Sequence, residues 1–486
     1  MELPIAGPAY KHPSIDVNNQ RCVNMFTMTA GSEGRGKTTL VPTSGTQLLI
    51  NLGSDPIRCL GTVGEFVYAV CGSTVYKVTV NEETGTATSS SLGTISTSSG
   101  TPVYMAANPT QIMWADGSSE SWIYTPGTGA FEKINTVDAD FPGASQVVFL
   151  DGYFLVSEPS SGRFFASALN NGRSWNALDV ATAESATDNL VCLAVVKGEL
   201  WTLGEHSIEI WYNAGNASGM PLSPRSGLNM KIGCGASASA VLINDLLIWL
   251  DDRGYVVQSG VSPFIRDNNS GYDLQIISDE AITAQILSYA RTDDAIAMGY
   301  NDRGHLMYQI TFPTARKTWV YDYTTKSWHE RNYYDSFSQS FQEHLGQFST
   351  SFKSVKIMGG QRNGKLYLSK PNVYTDAGVT IHRIRTTGPN NTEFKLVGID
   401  ALEMRMATGV VASDSNPQIG LRYSNNGSHT WSFQLMRDMG LTGEYNKSIR
   451  WNRLGMGREW VFEFVITDPV DFAIIDASVE IGEVEV

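Results

Sequence analysis

Residues 31–38 read Gly31-Ser-Glu-Gly-Arg-Gly36-Lys37-Thr38, which is the G-x-x-x-x-G-K-[ST] spacing of a phosphate-binding loop. In such a loop, backbone N–H groups and the N-terminus of the next helix hold a nucleotide's phosphates. A strand must therefore enter the loop and a helix must leave it. Here the residues that follow are Thr-Leu-Val-Pro-Thr-Ser-Gly, which cannot open a helix. Leu246–Asp251 (LLIWLD) imitates the strand that ends in a magnesium-binding acid, but it belongs to a repeat that runs through the chain. The reading is a glycine-rich turn with no nucleotide cofactor.

Other chemistry fares no better. Ser167–Trp175 and Ser424–Trp431 approximate the Asp-box hairpin of sialidases, a motif whose polar residues bond a turn over a packed Trp. A sialidase would also need arginines facing a Tyr nucleophile and its Glu partner. Arg383, Arg385, Arg405 and Arg422 all lie in the terminal segment, where alternation assigns them to a solvent or partner face. The seven histidines (12, 206, 305, 329, 344, 382 and 429) lack metal-ligand spacing, and HExxH and CxxC do not occur. Asp251–Asp252 and Asp293–Asp294 are sequence neighbours, so extended backbone points them apart. The expectation is a protein without catalytic, cofactor-binding or metal-binding residues, and not an enzyme.

The elements that would position any site are β-strands. In 190–213 (LVCLAVVKGELWTLGEHSIEIWYN) three short apolar runs are joined by two tight turns, an antiparallel meander. Its turn at Lys197–Gly198 has counterparts at Gly64–Glu65, Pro109–Thr110, Asp151–Gly152 and Asn244–Asp245, spaced 42–47 residues apart. Looser versions follow at Asp302–Gly304 and Arg362–Gly364. A period of 40–50 residues with three or four strands per unit predicts a β-propeller of six or seven blades over 59–375. Residues 1–58, punctuated by five prolines, read as an extended arm that packs on the rest and helps close the ring. Residues 376–486 carry about seven alternating strands and read as a C-terminal β-sandwich. Between them, 331–353 breaks the period with many Ser, Gln and aromatic residues. Its Tyr333, Tyr334, Phe337, Phe341, Phe348 and Phe352 form a candidate contact surface.

Composition bounds the partners. With 17% charged residues, 46 Gly, and 19 Phe, 20 Tyr and 11 Trp, the 486-residue chain suits an all-β protein rich in turns. A net charge of −14 argues against clamping nucleic acid, though not against letting it slide past. Five scattered cysteines (22, 59, 71, 192 and 234) read as buried free thiols of a reducing compartment. No signal peptide or membrane span is evident.

Several stretches resemble one family: RCVNMF (21–26), FVYAVCGSTVYKV (66–78), SIEIWYNAG (207–215), RYSNNGSHTW (422–431), and the terminal IRWNRLGMGREWVFEFVITDPVDFAIIDASVEI (449–481). They are similar to the tail hub or nozzle proteins of short-tailed, podovirus-type bacteriophages, also called tail accessory factors or packaged-DNA stabilisation proteins. The resemblance implies a virion protein assembled in the bacterial cytoplasm. It implies a homo-hexamer below the portal and its adaptor ring that continues the DNA channel and retains packaged DNA. Tail fibres or tailspikes would attach outside, and a plug or needle would close the exit. DNA would pass without specific binding, helped by acidic side chains if these face the channel. The alternatives are a host-surface glycan or receptor binder and a propeller glycosidase.

Overall fold

The computed structural model describes residues 2–3, 5–7, 14, 18–29, 38–97, 100–183, 188–216, 218–260, 264–266, 269–271, 274–391, 395–407, 416–445 and 447–482. Strands dominate it, and they assemble as a propeller of seven blades and a β-sandwich.

Blade one is Ile57–Val63, Phe66–Cys71, Thr74–Asn81 and Thr86–Thr94, an antiparallel meander. Blades two to five repeat it, starting at Tyr104–Ala107, Gln146–Leu150, Leu190–Val196 and Val241–Ile243. Blade six runs from Ile296–Asp302 to Ser327–Glu330. The first strand of each blade contacts the next around the ring, and Phe348–Phe352 of blade seven meets Ile57–Val63 of blade one. The tight turns follow from their residues: Asp151–Gly152 (φ 49° and 92°) and Lys197–Gly198 (φ 50° and 78°) take the doubly left-handed geometry that fits the strand twist. Middle strands such as Ile112–Ala115 and Leu246–Leu250 are buried at every position. A blade covered on both faces by its neighbours demands a continuous apolar run in place of alternation.

Blade seven is closed by the N-terminal arm. Phe348–Phe352, Val355–Gly359 and Lys365–Lys370 form three strands, and Gly45–Asn51 of the arm adds the fourth. A Cβ at Gly45 would collide with the carbonyl of Thr375, so only glycine lets this strand start where it does.

The sandwich also takes strands from the arm. One sheet is ordered Met25–Thr29, Thr38–Pro42, Ile474–Gly482, Val397–Met406 and Ile449–Gly457, with Glu2–Leu3 alongside Ile474–Gly482. The other is Arg21–Val23, Arg383–Thr386, Glu459–Ile466, Gln418–Ser424 and Leu435–Asp438. Leu3, Ile5, Met25 and Leu40 are buried in one core with Trp451, Trp460, Phe462 and Phe464. Each such side chain contributes about 1.5–3 kcal/mol relative to exposure. The second sheet is continuous with blade six, because Val23 pairs in parallel with Glu330.

Two sequence expectations change. Residues 331–353 are not one insertion: Asn332–Asp335 and Ser340–Glu343 form a hairpin, whereas Phe348–Phe352 is the innermost strand of blade seven. Arg383 and Arg385 are fully buried, not on a solvent or partner face: Arg383 is enclosed by Tyr374, Asp468 and Phe472, and Arg385 reaches Gln20 of the arm.

Candidate functional site at the propeller–sandwich joint

The arm, blade six, the 332–343 hairpin and the sandwich meet at Asn24. Its backbone N–H donates to the Glu330 carbonyl (2.9 Å), and its carbonyl accepts from the Thr43 N–H (3.1 Å). Its side-chain amide donates to the carbonyls of Asn332 (3.1 Å) and His382 (2.9 Å) and accepts from the Asn332 N–H (3.0 Å). The residue sits at φ 55°, a left-handed geometry that Asn tolerates. Every polar group of one buried residue is thus spent on four separate segments.

Beside it lies a buried ionic cluster. The Arg331 guanidinium donates to the Ser44 carbonyl (2.6 Å) and the Tyr300 hydroxyl (3.1 Å), and stands 3.7 Å from the Asp302 carboxylate. Asp302 in turn accepts from the Ser44 N–H (3.1 Å) and the Ser44 hydroxyl. Burial pushes the Tyr300 hydroxyl up to about 12, so it stays protonated. Asp376 accepts from the Thr46 hydroxyl (3.1 Å), and burial raises its pKa. Outside this cluster Arg21 grips Glu330 through two hydrogen bonds of 2.9 and 2.8 Å. Arg383 donates to the carbonyls of Tyr374 (3.0 Å) and Asp468 (3.2 Å), and burial lowers it to about 10. Arg331, Asp302, Asp376 and Arg383 are shut away from solvent, with Arg383 Nε left without a partner among the described residues, and Arg21 stays partly exposed; their bonds to the chain weld segments together.

The predicted aromatic contact residues divide between two places. Tyr334 stacks on His382 with ring centroids 4.0 Å apart, and Phe341 lies edge-on to both rings. Tyr333 is partly buried in the same hairpin, and only Phe337, at its tip, stands free, with 97% of its surface exposed. Phe352 is buried in the core shared by blades one and seven, and Phe348 packs against that core. The hairpin and the inner strand are not brought together as one surface.

The remaining motifs separate as well. Residues 31–37 lie outside the described residues, but Thr38–Pro42 after them is a strand paired with Met25–Thr29. Trp175 tucks beneath its turn and donates to the Gly172 carbonyl (2.9 Å), a structural role. Asp251 is buried and accepts from the Tyr255 N–H (2.7 Å), while Asp252 reaches His206 (2.9 Å). Among the described residues no cluster of three or more His, Cys, Asp or Glu could hold a metal ion. His12 lies outside them. His305 pairs with Asp322 (2.7 Å) and His344 is buried. Among the described residues all five cysteines are free and buried, and burial pushes the Cys59 thiol up to about 12. No helix is long and apolar enough to cross a membrane. Sequence reasoning missed Asn24, Ser44, Asp302 and Arg331 as a joint. Its one available signal was a lone Asn inside the apolar run Cys22–Phe26.

The sequence matches the family described as bacteriophage P22 Gp10, β-propeller, over residues 1–373, and bacteriophage P22 Gp10, β-sandwich, over residues 382–482. The chain belongs to that family. Its members are tail hub and stabilisation proteins of phages, so the chain is a structural protein of a phage tail and a virion component, and a non-enzymatic role goes with that. No curated protein matches at the level of sequence. Among solved structures, the extracellular domain of a putative one-component system, BT4673, from B. thetaiotaomicron is 9% identical (TM-score 0.43). It covers 71% of this chain and 45% of its own, so this chain spans under half of that protein's length. The designed protein Ika8 is 9% identical over 67% of this chain and all of its own, with TM-score 0.37. YCF48 bound to a D1 peptide is 12% identical over 67% and 95%, with TM-score 0.40.

Proposed function

We propose that six copies of the chain form the tail hub ring beneath the portal and its adaptor. The ring continues the DNA channel and holds packaged DNA. It carries fibres or tailspikes on its outside, is closed by a plug or needle until infection, and is assembled in the bacterial cytoplasm. The observation that carries this reading is the arm, which turns propeller and sandwich into one body. Such a body bears load between the proteins above and below it without bending at a linker. The net charge of −14 per copy fits a wall past which phosphates slide, and buried reduced cysteines fit cytoplasmic assembly.

Native mass measurement tests it, on the purified 53.1 kDa chain alone and mixed with the portal–adaptor complex. Six copies bound per adaptor is the expected result. A monomer or trimer that ignores the adaptor and binds host glycan saturably overturns it in favour of receptor binding.

A further inference from the structure

The sandwich ends in a free edge. Leu435–Asp438 pairs with Gln418–Ser424 on one side only, and Ile449–Gly457 pairs only with Val397–Met406, so among the described residues both outer rows of backbone groups lack a strand partner. Unpaired edges are templates for association and are normally blunted or covered. This one is apolar: Phe433 is 94% exposed, Tyr445 65%, and Met436, Leu441 and Met456 between 40 and 47%. So many large apolar side chains along one edge mark a contact surface.

The edge is also locally positive on a negative chain. Residues 433–458 hold Arg437, Lys447, Arg450, Arg453 and Arg458 against Asp438 and Glu444. Lys447 is paired with Asp438 (2.6 Å) and Arg450 with Glu480 (2.5 Å). Arg437 donates only to the carbonyls of Arg450 (2.9 Å) and Met436 (2.8 Å), and exposed Arg453 makes no ion pair among the described residues. Counter-charge lies at one end of the propeller, where loops join second to third strands and one blade to the next. Those loops include Asp116, Glu120, Glu158, Glu205, Asp252 and Asp293; Asp116 is buried, and Glu120, Glu158, Asp252 and Asp293 are paired with Lys133, Arg163, His206 and Arg291, but the loops as a whole stay net acidic. A cavity of about 680 Å³ opens there, lined by Asp116, Asp293 and Asp294 together with Arg291, Tyr104 and Pro102. The edge is five strand positions outboard of blade six, roughly 24 Å at about 4.8 Å per strand. It therefore projects away from its own blades.

We infer that this sandwich edge docks on the acidic end of the propeller of a second copy of the chain. The contact is head-to-tail, the class that closes into rings, and it deepens the ring reading above, on which it rests. Apolar anchors at its centre supply the affinity, and the charges set partner choice and orientation.

The test places the photocross-linker p-benzoylphenylalanine at position 433, in an equal mixture of unlabelled and 15N-labelled chains assembled on the portal–adaptor complex. Mixed-isotope cross-links to the loops at 116–120, 158–162, 205–207, 251–255 or 291–295 are expected. The double variant Phe433→Ser/Arg437→Glu should weaken ring formation at least about tenfold, with its melting temperature within about 2 °C of native, because both side chains are exposed. Rings with cross-links elsewhere, or a double variant that forms rings as well as the native chain, overturn this contact and leave the hub reading standing. A native chain that forms no ring and gives no mixed cross-link overturns both.

Discussion

Arg331→Met tests the joint most directly. The substitution keeps the aliphatic stem and removes the guanidinium. The Ser44 carbonyl and the Tyr300 hydroxyl each lose a donor, and Asp302 keeps only the Ser44 N–H and hydroxyl. At 3.7 Å the ion pair is worth about 4 kcal/mol for an effective dielectric near 20. Desolvation of both charges has already offset much of that in the native chain, but the variant retains the cost for Asp302 alone. Breaking one side of a buried pair typically costs about 3–5 kcal/mol, and that is the expected loss. Asp302→Asn/Arg331→Met removes both charges of the pair, leaving Asp376 as the buried carboxylate nearby, and should recover part of the loss. Urea unfolding followed by tryptophan fluorescence reads the stability. Protease cleavage within residues 18–56 reads the arm, which should become accessible before the blades unfold. A single variant that loses less than about 1 kcal/mol, or a double variant as unstable as the single, refutes the reasoning.

Three further outcomes follow from burial. His329 is buried against Phe26, and desolvation holds its ring down at about 4. The unfolded chain takes up a proton below about pH 6.5 that the folded ring refuses until about pH 4, so this stability is present above 6.5 and lost as the pH falls. The loss at pH 4.5 is on the order of 2–3 kcal/mol, and urea midpoints for native and His329→Phe chains at pH 7 and 4.5 should show the variant losing less. Phe352→Ala should cost about 3–5 kcal/mol by opening the core of blades one and seven, whereas Phe337→Ala at the exposed tip should change stability by less than about 0.5 kcal/mol; equal effects in thermal melts would contradict the division of 331–353. Thiol titration should find none of the five cysteines reactive in the native chain and all of them in denaturant.

The sequence made the first six blades legible because each carries a tight turn followed by an apolar strand. Blade seven was out of phase for a specific reason. Its first turn is Lys353–Ser354, where Lys353 takes φ 49° without a glycine, so the glycine at 364 draws the eye to the next turn instead. That displacement turned an inner strand into apparent insertion and made Phe348 and Phe352 look exposed. The buried arginines were illegible for another reason. Alternation assigns faces within one strand, but Arg383 is enclosed by the carbonyls of Tyr374 and Asp468, and Arg385 by Gln20, 365 positions earlier. Asn24 shows the same limit, since its role depends on four segments that converge only after folding.

The arm changes what kind of object the chain is. Two domains joined by a linker move independently unless a large interface holds them. Here the connection is made of strands: Gly45–Asn51 completes blade seven, Arg21–Val23 carries a sheet from blade six into the sandwich, and Leu3 and Ile5 lie inside the sandwich core. Pulling the domains apart must break backbone pairing on both sides of the joint and expose Arg331 and Asp302 together. Neither domain is complete without the arm: blade seven would lack its fourth strand, Gly45–Asn51, and the sandwich its strand Arg21–Val23. A body built this way transmits force along strands that run from blade to sandwich.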